Sequence, residues 1–371
     1  MEKVATAKSH KALFLSTTAF TICFAVWMLN GVLVTFLVSN QVFDWGPVEV
    51  GWLLGIPVLT GSIFRLPAGM LTDKFGGKPI YAGLLFIVAV PMYLLSYANS
   101  FVEFAILGFG FGLAGVSFAI GIAYTSVWYP KKNQGTALGI FGAGNAGAAL
   151  TLVFAPTLLN IFTDDGVNIE GWRQLPVYYA AVLVIMGVVF LIFAENKKPR
   201  AHGKSFIQML RPLKDMRVWR FGLYYFLVFG CFVAFSQWLV PYFVNVYYMP
   251  LVTAGILAAL FSFPSGVIRA LGGWMSDKWG ATIVMYWVLG LSVAISFMLV
   301  VPKMDIYSPG KGIMNKIPGT VTEVTKEYVV VGEKKYPLKI NDRSFEELDD
   351  DIVVFPTKST WQEPIVEVGQ K

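Results

Sequence analysis

Nine apolar runs of membrane-spanning length decide what this chain can become. They lie at roughly 11–39, 50–72, 79–98, 101–128, 134–162, 173–194, 217–246, 251–276 and 281–302. A helix needs about 20 apolar residues to cross the hydrocarbon layer. Lipid offers no partner to an open backbone group, so runs this long form helices. The expected fold class is an all-α polytopic membrane protein. Of the 371 residues, 56% are hydrophobic and 14% charged, against about 25% charged in soluble domains.

A repeat organises the runs. Arg65-Leu-Pro-Ala-Gly69-Met-Leu-Thr-Asp73-Lys74-Phe-Gly76 closes the second run. Arg269-Ala-Leu-Gly-Gly273-Trp-Met-Ser-Asp277-Lys278-Trp-Gly280 closes the eighth. Arg, Gly, Asp, Lys and Gly recur at a constant offset of 204 residues (65 to 269, 73 to 277). A repeat of this size implies two related halves. If Asp73 and Asp277 mark the membrane surface, each arginine lies roughly 12 Å inside it, at about 1.5 Å per residue. Arginine near mid-depth is costly and lines a cavity. Two of them at matching positions point to one central anion site.

The domain expectation follows: 1–194 as a six-helix half, 195–216 as a basic linker, 217–302 as three helices of the second half, and 303–371 as a β-rich tail. In the tail, 320–331, 336–340, 351–355 and 364–368 read as strands. The repeat demands three further helices. The chain is therefore expected to be truncated, or to meet a second polypeptide that supplies them. Lys74, Lys78, Lys131, Lys132, the linker and Lys278 fall on one side, which the positive-inside rule makes cytoplasmic. That makes it an integral protein of the cytoplasmic membrane, with the N-terminus on the cytoplasmic side and 303–371 on the extracytoplasmic side. The net charge of +6 is loop charge that sets topology, so no nucleic-acid partner is expected.

Chemistry is sparse. Cys23 and Cys231 sit in apolar runs and read as small core residues. His10 and His202 lie in polar segments. No nucleophile–base pair, metal cluster or phosphate-cradling loop occurs, so no enzyme, cofactor or metal is expected. The acidic residues Asp44, Glu49, Asp73, Glu103, Asp164, Glu195 and Asp277 fall at or near the ends of the runs. In a carrier, such a placement favours exchange over carboxylate-driven proton symport. In the fifth run, Asn145 is about 16 Å from Gln134, among glycines that let helices approach closely. A mid-depth amide there can donate to a small acceptor.

The loop Gly69-x-x-x-Asp73-Lys74-x-Gly76, repeated at Gly273, Asp277, Lys278 and Gly280, resembles the signature of the major facilitator superfamily. Gly139-x-x-Gly142-x-Gly144-Asn145-x-Gly147 resembles the nitrate signature of that superfamily's nitrate/nitrite porter family, as does the preceding Trp128-Tyr-Pro130-Lys-Lys-Asn-Gln134-Gly135. The resemblance covers about residues 11–302. It implies a porter of two six-helix halves in a lipid bilayer, with nitrate and nitrite as its partners. It implies that Arg65 and Arg269 clamp the anion, that Asn145 with Gly142 and Gly144 contacts it, and that Phe118, Tyr225 and Phe229 pack against its plane. The alternatives are a carrier for another small anion on the same fold, or an anion-binding sensor that does not transport.

Overall fold

The structure is a computed structural model that describes residues 6–164, 166–197, 205–247 and 249–300, and beyond residue 320 the segments 321–324, 328–331, 334–337, 343–348 and 351–356. Nine helices among the described residues are long and apolar enough to cross a membrane. They are α1 (Ala7–Ser39), α2 (Pro47–Phe75), α3 (Gly77–Tyr97), α4 (Phe101–Ser126), α5 (Lys131–Phe162), α6 (Ile169–Phe193), α7 (Met216–Tyr247), α8 (Leu251–Trp279) and α9 (Ala281–Met298). α1 starts ahead of its apolar run because Thr6 and Ser9 bond across its first turn, at 3.4 Å from amide to hydroxyl. Such reciprocal capping satisfies donors that a helix start leaves free. α2 begins at Pro47, which needs no donor there.

α1 is the centre of the fold, with Phe20, Phe24, Trp27 and Leu33 fully buried. Small residues let its neighbours close in. A Cβ at Gly147 of α5 would stand 3.0 Å from the Ala25 nitrogen. Four of the long helices around the centre are irregular. α1 is interrupted at Met28 and α2 at Phe64. α4 tightens to a 3-10 helix at Gly112–Val116, and α5 at Ala143–Ala146. α7 and α8 run unbroken for 32 and 29 residues.

Contacts between loops gather the basic segments at one end of the bundle. Lys8 bridges Glu195 at 3.0 Å. Asn196 donates to the Phe75 carbonyl, Lys197 to that of Val127, and Lys74 lies 4.3 Å from the Phe206 ring. At the opposite end Arg173 holds the Ser96 and Ala98 carbonyls and the Asn99 side chain.

Beyond residue 320, β1 (Val321–Val324), β2 (Tyr328–Val331) and β3 (Lys334–Pro337) form an antiparallel sheet. β4 (Arg343–Leu348) pairs with β5 (Asp351–Pro356). The stretch read as one run over 320–331 is two strands that pair with each other, because an extended backbone needs a hydrogen-bonding neighbour. β4, with its Arg and two Glu, carried no strand signal in the sequence. The run at 364–368 lies outside the described residues, as does His202. Cys23 is buried as expected, whereas Cys231 is exposed. It sits on α7, which leaves much of its apolar surface, such as Phe226 and Leu227, uncovered.

Candidate functional site

The two repeat arginines come together around one ring. The Arg65 guanidinium lies 4.9 Å from the centre of Phe229, and that of Arg269 lies 5.4 Å from it. Both arginines are half-buried. Arg65 is held more firmly. Its Nε donates to the Gly115 carbonyl at 3.2 Å, while Nη2 is buried without a partner. Trp27 and Phe118 also face it, at 5.6 and 5.7 Å. Arg269 lies 5.5 Å from Phe232, and its Nε is buried without a partner. Two buried, unfilled guanidinium donors around one ring suit an anion.

The aromatic side chains named from the sequence form a stack. Tyr225 and Phe229 are parallel at 4.9 Å, and Phe118 stacks on both at 5.8 and 5.7 Å. The Tyr225 hydroxyl lies beside the Arg65 guanidinium. Such rings attract the cations through their faces and leave the guanidinium edges, where the donors point, for an acceptor.

The 3-10 segments explain the polar backbone here. A tightened turn loosens the regular ladder and releases carbonyls to side chains. Gly115 lies in one such segment and accepts from Arg65. Gly142 stands just before the other and accepts from Asn145 Nδ2 at 2.6 Å. Asn145 is fully buried, and its Oδ1 has no partner. One of the two Nδ2 hydrogens is thus engaged within its own helix in this structure.

The two glycines of the signature separate. A Cβ at Gly142 would stand 3.3 Å from Arg269 Cδ, so Gly142 borders the arginine. Gly144 faces α1 instead, where a Cβ would meet Phe20 at 2.6 Å.

The loop copies also separate. Asp277 accepts from the Gly135 amide at 2.9 Å, the Thr136 amide at 2.6 Å and the Thr136 hydroxyl at 2.7 Å. It caps the start of α5, where unpaired amides favour a carboxylate. Gly273 presses on Gly135 and Gly139. Gly69 has open space around it. Lys278 lies 4.9 Å from the Trp274 ring. Gly76 and Gly280 both have φ of +91°.

Sequence reasoning missed Trp27 and Phe232. Phe232 follows Phe229 by three residues and so shares its helix face. Trp27 carried a weaker signal, a large ring three residues before a buried Asn30.

A family profile described as Major Facilitator Superfamily matches residues 15–312. The probable nitrate/nitrite antiporter NarK1 of Thermus thermophilus is 43% identical over 301 residues, which cover 80% of this chain and 68% of that protein. The chain belongs to the nitrate/nitrite porter family of the major facilitator superfamily. The nitrite extrusion protein of Bacillus subtilis is 27% identical over 82% of this chain and 74% of its own length. The probable nitrate transporter NarT of Staphylococcus carnosus is 30% identical, over 79% and 72%. This porter-family chain thus spans about two thirds to three quarters of the length of these relatives. It also superposes, with a TM-score of 0.56 and 17% identity, on a bacterial homologue of the human lysosomal transporter Spinster in an inward-facing and occupied conformation. That likeness covers 74% of this chain and 63% of that one, and it supports the fold alone.

Proposed function

We propose that this chain carries nitrate and nitrite across the cytoplasmic membrane by alternating access, exchanging one anion for the other. The observation that carries this is the pair of guanidinium groups sharing Phe229, each with a buried donor unfilled. Nitrate and nitrite are small monoanions whose oxygens only accept hydrogen bonds. Guanidinium is always charged and presents donors in a fixed fork. Two guanidinium charges in an empty low-dielectric cavity repel each other. A bound monoanion lowers that excess, so the loaded site closes more readily than the empty one. Rocking of the halves about a midplane site then favours exchange over leak. Arg65, Arg269, Tyr225, Phe118, Phe229 and Gly142 form the proposed binding layer, with Asn145 behind it. Gly144 belongs to the packing of α5 on α1.

Exchange is preferred to proton symport because the acidic side chains of the described spans lie in end turns. Glu49, Glu103 and Glu170 are in first turns, and Asp277 is engaged with α5. The gathering of basic loops at one end supports an orientation with that end, the N-terminus and the 195–216 linker in the cytoplasm, and with residues 303–371 on the opposite side. A second polypeptide supplying further helices is compatible with this reading.

Counterflow tests it. Labelled nitrate outside proteoliposomes and unlabelled nitrite inside, with no pH gradient, give uptake by the unaltered chain and none by Arg65→Ala. Uptake that needs a proton gradient overturns the exchange assignment. Uptake that survives Arg65→Ala overturns the site.

A further inference from the structure

Trp27 stands between the arginine layer and one of the contacts that join the two halves. It is fully buried where α1 is interrupted at Met28. Its indole Nε1 donates to the Pro57 carbonyl of α2 at 2.8 Å. Three residues on, Asn30 Nδ2 donates to the Leu53 carbonyl, also at 2.8 Å. Leu53 lies four residues before Pro57, whose ring leaves that carbonyl without a helical donor. One face of α1 therefore holds both sides of the proline site in α2.

The same indole fills the gap between α2 and α4. A Cβ at Gly61 would stand 3.0 Å from the ring, and one at Gly115 would stand 2.6 Å from it. Gly115 supplies the carbonyl that takes Arg65 Nε. The Arg65 guanidinium itself lies 5.6 Å from the Trp27 ring. A displacement of the indole displaces both supports of Arg65.

The main chain of Trp27 faces the other half. Gln237 of α7 donates Nε2 to the Trp27 carbonyl at 3.3 Å. Pro241, four residues beyond Gln237, removes the helical donor to the Gln237 carbonyl. Gly31 comes against that carbonyl, and a Cβ there would stand 2.9 Å from it. On the alternating-access reading proposed above, this α1–α7 contact parts as the halves rock.

We infer that Trp27 is a positioning residue that couples anion occupancy at Arg65 to the α1–α7 seal. The inference rests on the exchange reading above. An anion that draws Arg65 toward Arg269 moves the indole, the interruption at Met28 and the Gln237 bond together. Seal and site then change state in step.

The test uses Trp27→Phe, which keeps a ring beside Arg65 and removes the bond to Pro57. The reporter is Val240→Cys, at a fully buried position about one turn beyond Gln237, in a background that carries Cys23→Ala and Cys231→Ser and so leaves it as the one cysteine. It is reacted with a membrane-impermeant maleimide in proteoliposomes. The reporter protein alone keeps normal exchange, labels slowly, and changes its labelling rate with nitrate. Adding Trp27→Phe raises labelling about fivefold, the population shift expected from one lost buried hydrogen bond. Nitrate then no longer alters the rate. Maximal exchange falls while KM for nitrate stays within about twofold, which separates a lost conformational step from lost binding. Gln237→Leu cuts the link from the other half and gives the same rise. Unchanged labelling with an intact nitrate response in both variants overturns the inference. A reporter protein without nitrate exchange overturns the exchange reading instead, and the labelling rise still decides the link between Trp27 and the seal.

Discussion

Gly76 and Gly280 end α2 and α8 with the same backbone: φ is +91° in each, and each amide reaches back to the residue four before it, Thr72 at 2.9 Å and Ser276 at 3.0 Å. Eleven residues upstream, at Arg65 and Arg269, the copies still agree, since both arginines turn to Phe229. Between these points they diverge. Gly273 is wedged against α5 and Asp277 caps it, while Gly69 has open space around it. The halves differ in the same sense. The helices that bring Arg65 and Asn145 are interrupted at depth, whereas α7 and α8 are continuous. The shared Asp-Lys-x-Gly ending thus gives the same cap in both copies, and the neighbours decide what each copy grips.

The largest expected effect tests the shared part. Arg65→Lys and Arg269→Lys each lower exchange about 100-fold, because lysine keeps the charge and loses the forked donors. Counterflow rates at saturating nitrate measure this. A loss confined to one arginine breaks the two-fold equivalence of the site.

Next comes the position where the copies differ. Gly273→Ala lowers the unfolding midpoint, at a cost of about 2–3 kcal/mol, because its methyl meets the Gly135 carbonyl. Gly69→Ala, with free space around it, leaves the midpoint unchanged or raises it through better helix propensity, by up to about 1 kcal/mol. Thermal unfolding of the detergent-solubilised protein reads both. Equal effects would mean that the second copy's grip on α5 is not held in solution.

The caps come third. Gly76→Ala and Gly280→Ala each destabilise by about 2 kcal/mol, since their backbone lies in a region that only glycine adopts freely. Gly76→Ala costs the more of the two, because its methyl also meets Asn196. The same melts compare them.

The smallest effect is Asp277→Ala, about 1 kcal/mol for an uncapped α5 start. Backbone amide exchange measures it as faster exchange at Gly135 and Thr136. Unchanged exchange there would remove Asp277 from the cap.

Much of this was legible in the chain. Spanning runs appear directly as hydrophobicity, because a bilayer demands length and satisfied backbone and little else. The repeat announced the paired arginines, and the family resemblance named Phe118, Tyr225 and Phe229 beside them. The orientation of each side chain was not legible. Gly142 and Gly144 are two residues apart in one motif, yet one borders Arg269 and the other faces α1, since positions two apart on a helix point in different directions. Asn145 read as a mid-depth donor, and one of its two Nδ2 hydrogens goes to the Gly142 carbonyl of its own helix.

The sequence by itself determined the nine spanning helices of the described residues, the internal repeat and the charge of the central site, because each follows from local composition and a fixed rise per residue. Only the tertiary structure decided which ring both arginines share, which copy of the loop grips α5, and that Trp27 ties α2 to the opposite half. Those outcomes depend on close approaches between helices distant in sequence. A few glycines and prolines permit such approaches, but only the packed neighbours select them.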